Sequence, residues 1–267
     1  MRVGLIGFGA MGRLLYDLVE QHAPGIEIVA VLSRDKAGGG PASALRSTTR
    51  WLQSIEELQA LDLQLVVECA GHEALRQFGR TVLQSGADLL VASVGAMADE
   101  AVEAALRSAA LAGKASLRIP AGALGGLDVL GAARFAGLQS VRYISRKGVK
   151  AWRGTPAEKL IDLGSVTEPT AFFEGNARSA ALAFPQNANV AAAVALAGVG
   201  FAQTQVTLMV DPAATGNRHS ISASGGFGEF EISVTGNTLP SNPKTSALAA
   251  YSLVRTLANL NASVVVG

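Results

Sequence analysis

The segment Gly7-Phe8-Gly9-Ala10-Met11-Gly12 follows directly on the apolar run Val3 to Ile6 and opens a stretch of helical period from Met11 to His22. A GxGxxG pattern alone is a weak signal, because glycine is common in this chain, but a strand before it and a helix after it make it specific. In that setting Gly7 permits the tight turn, Gly9 lets a pyrophosphate approach the backbone, and Gly12 lets the helix pack closely on the sheet. The positive end of the helix then faces the phosphates. A structural turn without a ligand is the competing reading. The loop, with Ala10 and Met11 inside it, predicts a dinucleotide-binding, doubly wound parallel sheet.

The pattern continues for some 120 residues, with short apolar runs alternating with helical segments as in a parallel sheet wound with helices. Strands are expected over Ile26 to Leu32, Gln64 to Glu68, Asp88 to Ala92 and Ser116 to Ile119. Between them, helices are expected over Ser54 to Ala60, opened by a serine cap, His72 to Ser85, and Asp99 to Ala112. Gly38 to Gly40 reads as a local loop.

Beyond Pro120 the texture changes. Alternating runs at Ser140 to Val149, Thr204 to Asp211, Arg218 to Ser224 and Glu229 to Thr235 predict a second, mostly antiparallel sheet. Gly225-Gly226 predicts a tight hairpin between the last two runs. Asn189 to Phe201 predicts one buried helix, and Thr245 to Leu260 a final helix that returns to the first domain. The expected division is residues 1–122 plus 241–267 for the dinucleotide-binding domain and 123–240 for an α+β substrate domain, which is also the expected dimerisation surface.

Composition narrows the partners. Twenty-two basic against twenty-one acidic residues give a formal net charge of +1, which supplies no field for a polyanion or an anionic membrane. The apolar stretch from Val190 to Ala202 is broken by Gly198 and Gly200 and falls short of the roughly 20 residues of a membrane span. A lone Cys69 cannot close an internal disulfide, and the apolar start is interrupted too early for a signal peptide, so a reducing cytoplasm is expected. No metal-ligand spacing is present, and a small-molecule substrate is the expected partner.

In a doubly wound sheet, ligands lie at the carboxyl ends of the strands. This chain places small residues there, at Glu68-Cys69-Ala70-Gly71, Ser93-Val94-Gly95-Ala96 and Pro120-Ala121-Gly122-Ala123. Cys69 and Ala70 are therefore candidate cofactor neighbours, Cys69 as a packed thiol rather than a nucleophile because no cation adjoins it in sequence. At the end of the second strand, where a carboxylate would bind a ribose 2′-hydroxyl, stand Leu32, Ser33 and Arg34, with Asp35 arriving late. Ser33 and Arg34 suit a 2′-phosphate, so NADP is expected alongside NAD, though Arg34 reads equally as a solvated loop charge. His219, in the polar run Thr215 to His219 at the start of a strand, is of a type and place that fit a general base. An imidazole near its ordinary pKa is expected there.

Four segments then acquire meaning together: IPAGALGGLD (Ile119 to Asp128), FPQNANVAAA (Phe184 to Ala193), NRHSISASGGFGEFEI (Asn217 to Ile232) and SNPKTSALAA (Ser241 to Ala250). With the N-terminal loop, and in this order over nearly the whole chain, they resemble the L-aspartate dehydrogenases. The resemblance implies NAD(P)-dependent oxidation of L-aspartate to iminoaspartate, which hydrolyses to oxaloacetate and ammonia, with the reverse amination also typical. It implies cofactor contacts at Ala123 and Asn189 and a catalytic histidine at His219. For the carboxylates of such a substrate the sequence offers Arg146 and Lys147 at a strand end and Lys244, Thr245 and Ser246 at a helix start. Each also has a plain reading, as a solvated strand end or a turn leading into a helix. A similar dehydrogenase of another small amino or hydroxy acid, and a cofactor-sensing module without catalysis, are the alternatives.

Overall fold

The computed structural model describes residues 1–34, 45–185, 187–239 and 242–266; Asp35, Gly38 to Gly40 and the expected boundary at 240/241 lie outside them. The chain splits into two compact units, one of Met1–Ala96, Glu100–Pro120 and Ala250–Gly267, the other of Met97–Asp99 and Ala121–Ala249.

The apolar runs of the first unit form strands β1 (Arg2–Ile6), β2 (Glu27–Leu32), β3 (Arg50–Leu52), β4 (Leu65–Glu68), β5 (Asp88–Val91) and β6 (Leu117–Arg118). They make one six-stranded sheet in the order β3-β2-β1-β4-β5-β6, parallel throughout. All four residues of β4 are buried, as expected for a strand covered on both faces. The crossovers carry α1 (Ala10–His22), α2 (Ile55–Gln59), α3 (His72–Gln84) and α4 (Glu100–Gly113). The cap expected at Ser54 is a full capping box: Ser54 Oγ accepts from the Glu57 backbone N–H, and the Glu57 carboxylate accepts from the Ser54 N–H, both at 3.3 Å. This is the doubly wound dinucleotide-binding topology that the glycine loop predicts.

The second unit carries β7 (Leu138–Lys147), β8 (Thr170–Asn176), β9 (Gln205–Val210), β10 (Asn217–Gly225) and β11 (Gly228–Gly236). They form a five-stranded sheet in the order β11-β10-β7-β9-β8, antiparallel except for the β7–β9 pair. A two-residue turn at Gly226-Phe227 joins β10 to β11. A small ladder pairs β12 (Thr238–Leu239) with β13 (Asn242–Ser246), and the helices are α5 (Leu127–Ala133), α6 (Val149–Trp152), α7 (Ala177–Ala183) and α8 (Asn189–Ala197). Two expectations are corrected here. The buried helix from Asn189 ends at Ala197, because Gly198 caps it and Gly200 adopts φ +85°. The final helix, α9 (Ala247–Asn259), starts later than Thr245, because Asn242–Ser246 is taken into β13. From Ala250 onward α9 belongs to the first unit, where Leu253, Val254 and Leu257 join the core of Leu5, Leu15, Val31 and Leu90.

Strand β7 presents two chemically distinct faces. Val141, Tyr143, Ser145 and Lys147 face inward and are buried, whereas Arg142 and Ile144 are exposed and Arg146 is half-buried.

Candidate active site

The glycine loop has the geometry its spacing predicts. Gly7 sits at φ +94° and donates its N–H to Leu32 O at 2.8 Å, and a Cβ there would lie 2.7 Å from the backbone of Ala70. A Cβ on Gly12 would lie 2.2 Å from the Gly7 carbonyl oxygen, so α1 packs on the turn at a distance that only glycine permits. Gly9 differs: a Cβ there would meet nothing within 4 Å. It is exposed and extended, at φ −77° and ψ −161°, and it caps α1 without any side-chain hydrogen bond. With no acidic residue in the first turn of α1 either, the amides of Gly9, Ala10 and Met11 are suited to an anion. These features fit a dinucleotide pyrophosphate.

A feature that the sequence reading missed holds the neighbouring loops. Glu68, at the end of β4 and 1% exposed, accepts from the N–H groups of Ala70 and Gly71, each at 2.7 Å. It also accepts from the Ser93 N–H at 3.1 Å and the Ser93 hydroxyl at 3.0 Å. Burial raises its pKa against the pull of these donors. One carboxylate thus fixes the carboxyl ends of β4 and β5 beside the glycine loop. Cys69 is partly buried and packs against the core of the first unit. Desolvation, and then the Glu68 carboxylate, push its thiol well above the ordinary value, so it is an unreactive packing residue. Ala70 and Arg34 are exposed and Ser33 is half-buried.

In the second unit, the register places His219 directly opposite Ser145 across the β7–β10 ladder. Lys147, two residues further along β7, shares that buried face; His219 and Lys147 are each 4% exposed. The Lys147 ammonium donates to Asn187 Oδ1 at 3.1 Å and lies 5.1 Å from the ring centroid of the fully buried Trp152. Burial lowers the Lys147 pKa to about 8. Burial, and then the field of Lys147, hold the His219 imidazole down at about 3, which corrects the expectation of an ordinary imidazole. Tyr143 Oη lies 2.6 Å from His219 Nδ1, with the two rings 10° from parallel. Burial raises the phenol pKa, so Tyr143 stays protonated. A neutral base candidate, a buried cation and a fixed phenol therefore share one face.

The structure separates the two residues of the Arg146-Lys147 pair. Arg146 points to the opposite face of the sheet and gives its guanidinium to Asp211 Oδ2 at 2.7 Å. Lys244 and Thr245 lie in β13, and Ser246 is buried, its Oγ without a hydrogen-bond partner among the described residues. Ala123 is buried just after Gly122, which adopts φ +68°, and Asn189 is the first residue of α8. Tyr143, Asn187 and Trp152 are not among the site residues expected from the sequence, although Asn187 lies within the Phe184 to Ala193 segment and Tyr143 within an expected strand. The alternation of β7 places Tyr143 in phase with Lys147, but nothing local points to Asn187. Among the described residues there is no group of three or more His, Cys, Asp or Glu that could hold a metal ion, and no helix is long and apolar enough to cross a membrane.

A glycine-loop parallel sheet, with a second unit that buries a histidine and a lysine on one sheet face, defines an NAD(P)-dependent dehydrogenase of two-unit build. Comparison with known proteins agrees on both units. The family model described as homoserine dehydrogenase, NAD binding domain, matches residues 7–120. That described as aspartate dehydrogenase, C-terminal, matches residues 128–260. The chain is 42% identical to the L-aspartate dehydrogenases of Ralstonia pickettii and Pseudomonas aeruginosa, with 97% of each chain covered in both cases. The crystal structure of aspartate dehydrogenase from Thermotoga maritima superposes with a TM-score of 0.79 at 28% identity, covering 100% of this chain and 99% of that one. The chain belongs to the aspartate dehydrogenase family.

Proposed function

We propose that this protein oxidises L-aspartate to iminoaspartate, and aminates oxaloacetate in reverse, with His219 exchanging the substrate proton and Lys147 holding a substrate carboxylate. The observation that carries this reading is the placement of His219 and Lys147 on one buried sheet face, in a chain whose relatives are L-aspartate dehydrogenases. A bound NAD(P) would supply the hydride acceptor, its pyrophosphate held by the amides around Gly9 beside Ala70, and the family resemblance implies cofactor contacts at Ala123 and Asn189 as well.

Lys147 is suited to a carboxylate because its ammonium spends one of three donors on Asn187. Asn187 and the Trp152 ring fix the lysine head, so little freedom is lost when the anion arrives. His219 starts neutral, which a proton acceptor requires. Burial is the main cause that keeps the imidazole neutral and the Lys147 field the lesser one; a carboxylate on Lys147 cancels much of that field, so substrate binding makes His219 a better base. Ser246 supplies a further hydroxyl for the second carboxylate. Residence in the cytoplasm and association as a homodimer through the second sheet belong to the same reading; the exposed Ile144 and Arg142 on the outer face of β7 support the latter.

The test follows absorbance of reduced cofactor with oxaloacetate plus ammonia, using NADH and NADPH in parallel, against a panel of other keto acids. Oxaloacetate is expected to be consumed at least tenfold more efficiently than any other. Equal or better use of a monocarboxylic keto acid would remove Lys147 and Ser246 from the substrate site.

A further inference from the structure

We propose that Tyr143 is the positioning residue of His219, and that the hydroxyls of Tyr143 and Ser145 together let His219 take up either neutral tautomer. The proposal rests on the reading of His219 as the proton-exchanging group. Its starting point is the 2.6 Å contact between Tyr143 Oη and His219 Nδ1, both buried. A neutral imidazole carries one N–H and one lone pair, and whichever nitrogen the tyrosine engages decides what the other can do. If the Tyr143 hydroxyl donates to Nδ1, Nε2 carries the hydrogen and can only donate. If Nδ1–H donates to Tyr143 Oη, Nε2 presents its lone pair and can accept.

The second arrangement leaves the phenol proton needing an acceptor of its own. Ser145 provides one. It stands two residues along β7 on the same inward face, directly opposite His219 in the ladder. Its side chain is 0% exposed, and it acts on the Tyr143 phenol, drawing the phenol pKa down against the larger effect of burial. With His219 Nδ1 as the first position, Ser145 is the second position of a two-way hydroxyl rotor. Turning the Tyr143 hydroxyl from Nδ1 towards Ser145 Oγ, while the imidazole hydrogen moves from Nε2 to Nδ1, conserves every proton and adds no charge beside Lys147. Only the arrangement with Nδ1–H on Tyr143 Oη lets Nε2 accept the substrate proton in amine oxidation, and the imidazolium so formed returns that proton in imine reduction, so the rotor sets the share of His219 that is ready to act.

The test is the nitrogen-15 NMR spectrum of the imidazoles in the full-length protein at pH 7, with the His219 signals assigned by loss in His219→Gln. The wild type is expected to show Nδ1 and Nε2 shifts intermediate between the two tautomers. Ser145→Ala should move them to the pattern of a hydrogen on Nε2. Tyr143→Phe, which keeps the ring, should lower kcat at least about tenfold with the aspartate KM changed less than about twofold. A wild type locked in one tautomer, shifts unmoved in Ser145→Ala, or a Tyr143→Phe enzyme of normal kcat would each overturn the proposal. The NMR arm stands even where Tyr143→Phe does not fold. It also separates this idea from the catalytic reading, since full turnover in His219→Ala would defeat that reading whatever the tautomer.

Discussion

The Lys147 ammonium donates to Asn187 Oδ1 at 3.1 Å, reaching from the last residue of β7 to the turn just before α8. Because burial sets the lysine pKa at about 8, its charge is present below that pH and is lost above it. An unreactive dicarboxylate such as succinate has no amine to confuse the titration. Its inhibition constant should be flat below pH 8 and rise about tenfold per unit above it. In Lys147→Met the constant should be higher and flat throughout. The same rise in the variant would place the titrating group elsewhere.

The three loop glycines have separable jobs. Gly7→Ala and Gly12→Ala collide with backbone at 2.7 and 2.2 Å, so both should destabilise the fold by about 1–3 kcal/mol, read in denaturant titrations. Gly9→Ala meets no protein atom within 4 Å. It should leave stability nearly unchanged and weaken NAD(P) binding about tenfold or more, roughly 1.4 kcal/mol. Unimpaired cofactor binding in Gly9→Ala would mean that the loop is only a turn.

Cofactor choice falls to Ser33 and Arg34, half-buried and exposed just beyond β2. Ser33→Ala with Arg34→Ala should raise the KM for NADP about tenfold while changing that for NAD less than about twofold, as expected where one cationic contact to the 2′-phosphate is lost. An unchanged NADP to NAD ratio would make Arg34 a solvated charge.

Acid stability offers a check on burial of His219. Its folded-state pKa, about 3, lies below the ordinary 6.5. The unfolded chain therefore takes up the proton first, and the stabilisation present above pH 6.5 is lost as pH falls towards 3. The melting temperature of the wild type should fall more steeply from pH 7 to pH 4 than that of His219→Gln. Parallel curves would show an imidazole free to protonate in the folded protein.

Much of the fold is readable from residues alone, for identifiable reasons. The strands of the first unit are continuous apolar runs, and Ser54 with Glu57 spells out its own cap. β3, only three residues long, and β8, an edge strand whose Thr170–Asn176 sequence lacks alternating burial, carry no such signal. β13 is hidden because Lys-Thr-Ser-Ala-Leu-Ala-Ala has the composition of a helix start, and only its pairing with β12 makes it a strand. The site divides the same way. Parity along β7 distinguishes Lys147, in phase with Val141 and Tyr143, from Arg146, in phase with the exposed Arg142. Asn187 and the Tyr143–His219 contact depend on partners 40 and 76 residues away, which no local pattern announces. The depressed imidazole pKa is equally invisible, because burial and the Lys147 charge arise only once the sheet has formed.

The role of His219 is tested most directly by turnover of L-aspartate in His219→Ala, with cofactor affinity measured on the same preparation by fluorescence of bound NADH or NADPH. Unchanged cofactor affinity and a kcat lower by about 10²–10⁴-fold are the expected results. Near-normal kcat with intact cofactor binding would contradict a proton-exchanging role for His219.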